Sequence, residues 1–174
     1  GLDGVNAATH AKIETINGDL TVDQAVTATA GDVLLAANGA GSDVILNAAV
    51  EATAGNVTVL ARNGVEQSVA GDITAGGTID VQAFNGSIVM SDAASDGVDN
   101  DGDTLVDAAD PDEVAASADV AVSKTTSGGN IRYQAAQDVT LGKLDTGAGM
   151  VSVVAGNDIL DARGDTVDHD PLDP

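Results

Sequence analysis

No cysteine occurs among the 174 residues, so neither a disulfide framework nor a thiolate metal site is open to this chain. Tryptophan is also absent, and Phe84 and Tyr133 are the only aromatic residues. Ordinary cores take much of their volume from aromatic rings. This core must instead be assembled from Val, Ile, Leu and Ala, which makes it thin and repetitive. Basic residues are scarce: Lys12, Arg62, Lys124, Arg132, Lys143 and Arg163 face 28 acidic residues, for a net charge of −22. Nucleic-acid partners need a basic footprint, and anionic membrane surfaces need a basic patch, so neither is expected. No apolar run reaches the length of a membrane-spanning helix and none reads as a signal peptide. The start at Gly1 rather than Met suggests a mature or excised piece of a longer precursor.

The acid excess is local. Nine acidic residues lie between Asp92 and Glu113 and six between Asp158 and Asp173, leaving a scaffold that is only mildly acidic. Within the first cluster, the stretch from Asp99 to Asp110 places carboxylates at positions 1, 3, 5, 9 and 12 of a loop. A hard divalent cation takes six to eight oxygens at about 2.3–2.6 Å, and a short loop of alternating Asp supplies most of them. The candidate ligands are the side chains of Asp99, Asp101, Asp103, Asp107 and Asp110 and the backbone carbonyl of Leu105, with Ca2+ as the ion. Two departures from the EF-hand pattern bear on affinity: Thr104 replaces the turn Gly, and Asp110 replaces the longer Glu. Gly97, Gly102 and Pro111 oppose flanking helices. The competing reading is an acidic loop that merely solubilises the protein. In the tail, Asp165, Asp168 and Asp170 offer a second cation site, against a solvated tail extended by Pro171 and Pro174.

Repeats organise the remainder. Gly18-Asp19-Leu20-Thr21-Val22, Gly31-Asp32-Val33-Leu34-Leu35, Gly55-Asn56-Val57-Thr58-Val59, Gly77-Thr78-Ile79-Asp80-Val81, Gly129-Asn130-Ile131-Arg132-Tyr133 and Gly149-Met150-Val151-Ser152-Val153 share one form. Each is a Gly, a variable residue and a short alternating strand. A weaker set lies between them, at Asp43 to Asn47, Gly71 to Ala75, Gly86 to Met90, Asp138 to Leu141 and Asn157 to Asp161. The apolar residues alternate, which is the period of a strand with one buried face. Recurring Gly, Asp and Asn corners suit a chain that turns repeatedly in one sense, through positive φ at the glycines. Stacked coils then put Val over Val and Ile over Ile, in a right-handed parallel β-helix with an inserted Asp-rich loop. An antiparallel β-sandwich is the alternative.

These repeats resemble the filamentous-haemagglutinin-like β-helices of large bacterial surface and secreted adhesins, over roughly residues 17–93 and 117–161. The segment Asp96-Gly97-Val98-Asp99-Asn100-Asp101-Gly102-Asp103, running on to Pro111, also resembles the EF-hand loop and the calcium repeats of thrombospondin type 3. The resemblance implies a structural or adhesive part of a secreted or cell-surface protein. It also implies one β-helical domain over residues 1–174, with 1–17 as cap or junction, 91–117 as the calcium-loop insertion and 162–174 as an acidic tail. Exposed backbone at the two end coils makes a homo-oligomer or filament through end-to-end contacts the expected assembly, with a surface glycan or protein as receptor. A β-helical polysaccharide-degrading enzyme or carbohydrate-binding module is the alternative. Catalysis is disfavoured because the bases are scattered and His10 and His169 lie near opposite termini without a partner constellation. An ice-binding ladder of Thr begins at Thr27-Ala28-Thr29 but is not kept at Glu51-Ala52-Thr53 or Ser68-Val69-Ala70.

Overall fold

Eighteen strands run through the computed structural model, which describes residues 4–91 and 120–162. They recur as triplets: β1 (Val5–Ala7), β2 (Ala11–Thr15) and β3 (Leu20–Val22) form the first coil. The next coils are β4 (Val26–Ala28), β5 (Val33–Ala37) and β6 (Val44–Leu46), then β7 (Val50–Ala52), β8 (Val57–Ala61) and β9 (Val65–Gln67), then β10 (Ile73–Ala75), β11 (Ile79–Ala83) and β12 (Ile88–Met90). After the undescribed segment come β13 (Val122–Thr125), β14 (Ile131–Ala135) and β15 (Val139–Leu141), then β16 (Lys143–Asp145), β17 (Val151–Val154) and β18 (Ile159–Asp161). Every third strand pairs, so three six-stranded parallel sheets result: β1-β4-β7-β10-β13-β16, β2-β5-β8-β11-β14-β17 and β3-β6-β9-β12-β15-β18. The protein is a parallel β-solenoid of six coils, all-β and without a helix among the described residues. All fifteen strand pairings are parallel, which rules out the sandwich.

Register explains why the core needs no large residues. Ala11, Val33, Val57, Ile79, Ile131 and Val151 stand in one column, and Val26, Val50 and Ile73 in another. Neighbouring strands of a sheet lie about 4.8 Å apart, so each inward side chain is already touched above and below by its equivalent. The lumen then closes with Val, Ile, Leu and Ala from three sides, and the residues of this cluster are almost all shut off from solvent.

The sheet joining β1, β4, β7, β10, β13 and β16 was not expected as a separate layer. Its strands carry no regular Gly in front, and β10 alone was recognisable, grouped with strands that the structure places in another sheet. Gly18-Asp19-Leu20-Thr21-Val22 likewise supplies β3, which stacks on β6 rather than on the other Gly-led strands. In the sheet of β1, β4, β7, β10, β13 and β16 the outward column runs Thr27, Glu51, Thr74, Lys124, so charges break the Thr ladder at two of these four positions. The residue equivalent to Thr27 in the fourth coil is Thr74, not Ser68.

The glycines also act differently from expectation. Positive φ occurs at Gly4, Gly18, Gly41, Gly128 and Gly147; of the six glycines that lead the repeats Gly18 alone meets the expectation, and Gly31, Gly55, Gly77, Gly129 and Gly149 do not. What these lack is room. A Cβ at Gly55 would fall on the carbonyl oxygen of Gly31, one at Gly129 on that of Gly77, and one at Gly149 on that of Gly129. The corner backbones of successive coils touch, and only a residue without a side chain fits between them.

The coil is continuous in space across the undescribed segment. Ile79 pairs with Ile131 and Ile73 with Ser123, in the same register as the uninterrupted coils. Ser91 O accepts a hydrogen bond from Ala121 N at 2.9 Å, so the chain leaves and re-enters the solenoid at adjacent points. Removing residues 92–119 would leave Ser91, Val120 and Ala121 between β12 and β13. That matches the corner Asp23-Gln24-Ala25 between β3 and β4. Because closure entropy depends only weakly on loop length, this deletion should keep the β-type circular dichroism spectrum and move the thermal midpoint by only a few degrees. Gly129→Ala, by contrast, forces Cβ against backbone and should cost about 1–3 kcal/mol, measured by urea unfolding.

Candidate functional site

Two corners of the solenoid carry side-chain ladders that hold one coil to the next. At the first, Asp32 N donates to Nδ1 of His10 at 2.9 Å, Asn56 N to Oδ1 of Asp32 at 2.8 Å, and Thr78 N to Oδ1 of Asn56 at 2.8 Å. Met150 N donates to Oδ1 of Asn130 at 2.9 Å, two coils further on. At the second, Asp43 N donates to Asp19, Gly64 N to Asp43, and Asp158 N to Asp138. The Asp and Asn of the repeats therefore serve as acceptors for backbone N–H groups that the strands leave unpaired. The Asn56 N–H holds the Asp32 carboxyl below the usual carboxylate range, with desolvation acting against it and the Asn56 side-chain amide and His10 adding to it. A lowered pKa contributes stability present above the ordinary range and lost as pH falls through the folded value. His10 is exposed yet tied in by this ladder, while His169 lies outside the described residues.

The one aromatic residue in the core sits on a buried polar chain. Tyr133 follows Ile13, Leu35, Val59 and Val81 in its inward column. On the facing sheet, the column of Val26, Val50 and Ile73 changes to Ser123, which makes space for the ring. The Tyr133 hydroxyl lies 2.6 Å from Ser123 Oγ and donates to Gln67 Oε1 at 2.9 Å, while Gln67 Nε2 donates to Val122 O at 3.0 Å. Val122 N in turn donates to Asp72 Oδ1 at 2.8 Å. All three side chains are at most 1% exposed. The network fastens β9 to the strand that resumes the solenoid at β13. It was not foreseen: Gln67 stands in an inward column with Leu46 and Met90, and only its alternation phase marked it as buried.

The outer face of the sheet containing β11 and β14 holds a second polar constellation. Arg132 donates from Nε to Asp80 Oδ1 at 2.9 Å and from Nη2 to Oδ2 at 2.7 Å. This fork is half-exposed, with Asp80 at 30% and Arg132 at 44%. Its bidentate geometry raises the Arg132 pKa above the usual guanidinium value, chiefly through the hydrogen bonds to Asp80. Gln82 Nε2 donates to Asp80 Oδ2 at 2.9 Å, and Arg132 Nη1 reaches Gln134 Oε1 at 3.4 Å. Gln82 and Gln134 are register partners. Beside them Phe84, 46% exposed, has the Arg62 guanidinium 5.4 Å from its ring centre. A small depression of about 90 Å³ lies between Phe84, Gln82, Gln134, Ala83, Ala135 and Ala136.

The proposed calcium ligands Asp99, Asp101, Asp103, Leu105, Asp107 and Asp110 lie outside the described residues, as do Asp165, Asp168 and Asp170. Among the described residues no group of three or more His, Asp or Glu side chains gathers as a metal site. Compared with known protein families, curated proteins and solved structures, the chain matches none.

Tyr133→Phe should cost about 1–3 kcal/mol, because it takes from Gln67 Oε1 and Ser123 Oγ their nearest buried partner and leaves them only the longer contact to each other. Burial raises the Tyr133 pKa far above its ordinary value of 10.0, the Ser123 hydrogen bond lowering it slightly. A raised pKa gives stability that is complete below pH 10 and lost as pH climbs toward the folded value. Wild-type stability should therefore drop more steeply above pH 10 than that of Tyr133→Phe, in urea titrations run at a series of alkaline pH values.

Proposed function

We propose that this chain is a structural or adhesive segment of a secreted or cell-surface protein, without catalytic activity. In this reading a stiff solenoid displays a calcium-ordered loop. The observation that carries it is the hydrogen bond between Ser91 and Ala121, with Gln67, Ser123 and Tyr133 locking the coil beneath. A rigid, continuous rod with both feet of an acidic excursion side by side is a suitable mount for a projecting ligand loop. The ion acts by offsetting repulsion among clustered carboxylates, not by chemistry at a substrate.

Calcium binding is tested by titration calorimetry. The wild type should bind, and Asp101→Ala and Asp103→Ala should each weaken binding at least tenfold while leaving the solenoid spectrum intact. Unchanged binding in both variants rejects the assigned loop. Limited proteolysis gives a second reading, with cleavage between residues 92 and 119 expected to slow when calcium is added.

End-to-end association is part of the same proposal. The first coil opens on a cavity of about 590 Å³ lined in part by Val5, Ile13, Leu20, Val22 and Val26. On the last described coil, Val151 and Ile159, which continue the inward columns of Ile131 and Val139, are about half-exposed. Strand edges and apolar columns at both ends favour addition of another coil in register, supplied by a second copy. Asp161 opposes this in one sheet, since it occupies the register position below Leu141 and puts a carboxylate at the end of that inward column. Light scattering with millimolar calcium should show multimers, and Asp161→Leu should shift the distribution to larger species. Monomers alone at high concentration would remove assembly from the proposal.

A further inference from the structure

We infer that the outer face around Phe84 is a binding site for an uncharged carbohydrate. The inference is independent of calcium and of assembly, because it rests only on the middle coils. Phe84, Arg62 and Ala136 follow one another at the same corner: Phe84 N donates to Ala61 O and Ala136 N to Ala83 O. Arg62 covers the ring from the coil before. In the coil after, Ala136 is too small to stack on it, and the depression lies there, against the ring. A half-exposed aromatic with space beside it suits the C–H face of a sugar ring, whose hydrogens are attracted to the negative π face.

The two amides at the rim are already oriented. Gln82 spends its Nε2 on Asp80, which leaves its Oε1 without a hydrogen bond among the described residues. Gln134 receives Arg132 at its Oε1, which leaves its Nε2 likewise open. One acceptor and one donor therefore flank the depression on register-paired residues. Adjacent hydroxyls, each able to donate and accept, complement that pair. The Asp80–Arg132 fork holds both amides in place before a ligand arrives, which lowers the ordering cost of binding. Nearby Arg132 is already neutralised by its fork with Asp80 and Arg62 is engaged over the Phe84 ring, so the rim offers amides rather than a free cation for uronates or sulfated glycans, and the ligand class is a neutral hexose or N-acetylhexosamine polymer.

The test is a panel of neutral oligosaccharides, comprising cello-, malto-, laminari-, manno- and chito-oligomers. Polygalacturonate and a proline-rich peptide serve as comparators, and amide signals are followed by NMR on the isotopically labelled full chain. At least one neutral oligomer should shift the signals of Gln82, Phe84 and Gln134. Phe84→Ala, which removes the ring, and Ala136→Leu, which fills the depression, should each weaken that binding at least tenfold with the β spectrum retained. Gln134→Ala keeps the platform and should give a smaller loss. The proposal is overturned if no neutral oligomer binds, if binding survives both Phe84→Ala and Ala136→Leu, or if the polyuronate or the peptide perturbs these residues in preference.

Discussion

Close approach of one coil to the next governs this structure. Parallel strands hydrogen-bonded in register lie about 4.8 Å apart, and the corners are held at a similar spacing by backbone bonds such as Gly77 N to Gly55 O at 2.7 Å. The repeat-leading glycines follow from that distance, since a Cβ at Gly55, Gly129 or Gly149 would meet a carbonyl of the coil before. So do the corner acceptors at Asp32, Asn56 and Asn130, which turn toward the next coil's N–H. The low aromatic content has the same origin. A lumen filled by columns of Val and Ile has no room for rings at each level, and Tyr133 enters only where Ser123 replaces the bulk of Ile73.

Charge follows the same logic. Asp19 and Asp43, 24 residues apart in sequence, sit on neighbouring coils, yet each accepts a backbone N–H from the coil after it. Each carboxylate thereby serves as an acceptor in the coil-to-coil ladder. Elsewhere the structure pairs acid with base across coils, as Asp80 does with Arg132. Many of the scaffold's acids are thus used in its own ladders, while the densest acidic runs fall in the segment after Ser91 and in the tail.

Much of the fold was legible because a solenoid repeats its constraint every 20–24 residues, a separation seen in the corner bonds. The Gly-led strands β5, β8, β11, β14 and β17 announced themselves by phase and composition. The sheet of β1, β4, β7, β10, β13 and β16 did not, since Gly precedes only some of its strands, at Gly4, Gly71 and Gly142, and strands such as β4 and β7 hold only two inward positions. The role of glycine was read rightly at Gly18 and misread at the other five repeat-leading glycines for a physical reason: sequence marks where a side chain is forbidden, but not whether backbone conformation or a neighbouring coil forbids it. The Tyr133, Ser123 and Gln67 network was hidden because its members lie 10 and 66 residues apart and meet only across the lumen. Phe84, though one of two aromatics, gave no sign of Arg62 or Ala136 as corner neighbours until register was known.

Function in such a molecule has to be sought in the outward columns. Inward positions are dictated by stacking, and exchanging Val for Ile there says nothing about a partner. Outward positions are free to differ, and one column runs Lys12, Leu34, Thr58, Asp80, Arg132, Ser152. Because the lattice spacing is fixed, any two residues placed on adjacent coils are held at a set separation without further support. Asp80 and Arg132 exploit this although 52 residues of chain separate them. Their fork in turn sets which end of each glutamine amide stays open. A rigid lattice thus converts a few departures from the repeat into an organised surface, and those departures cluster around Phe84, where ring, amides and depression coincide.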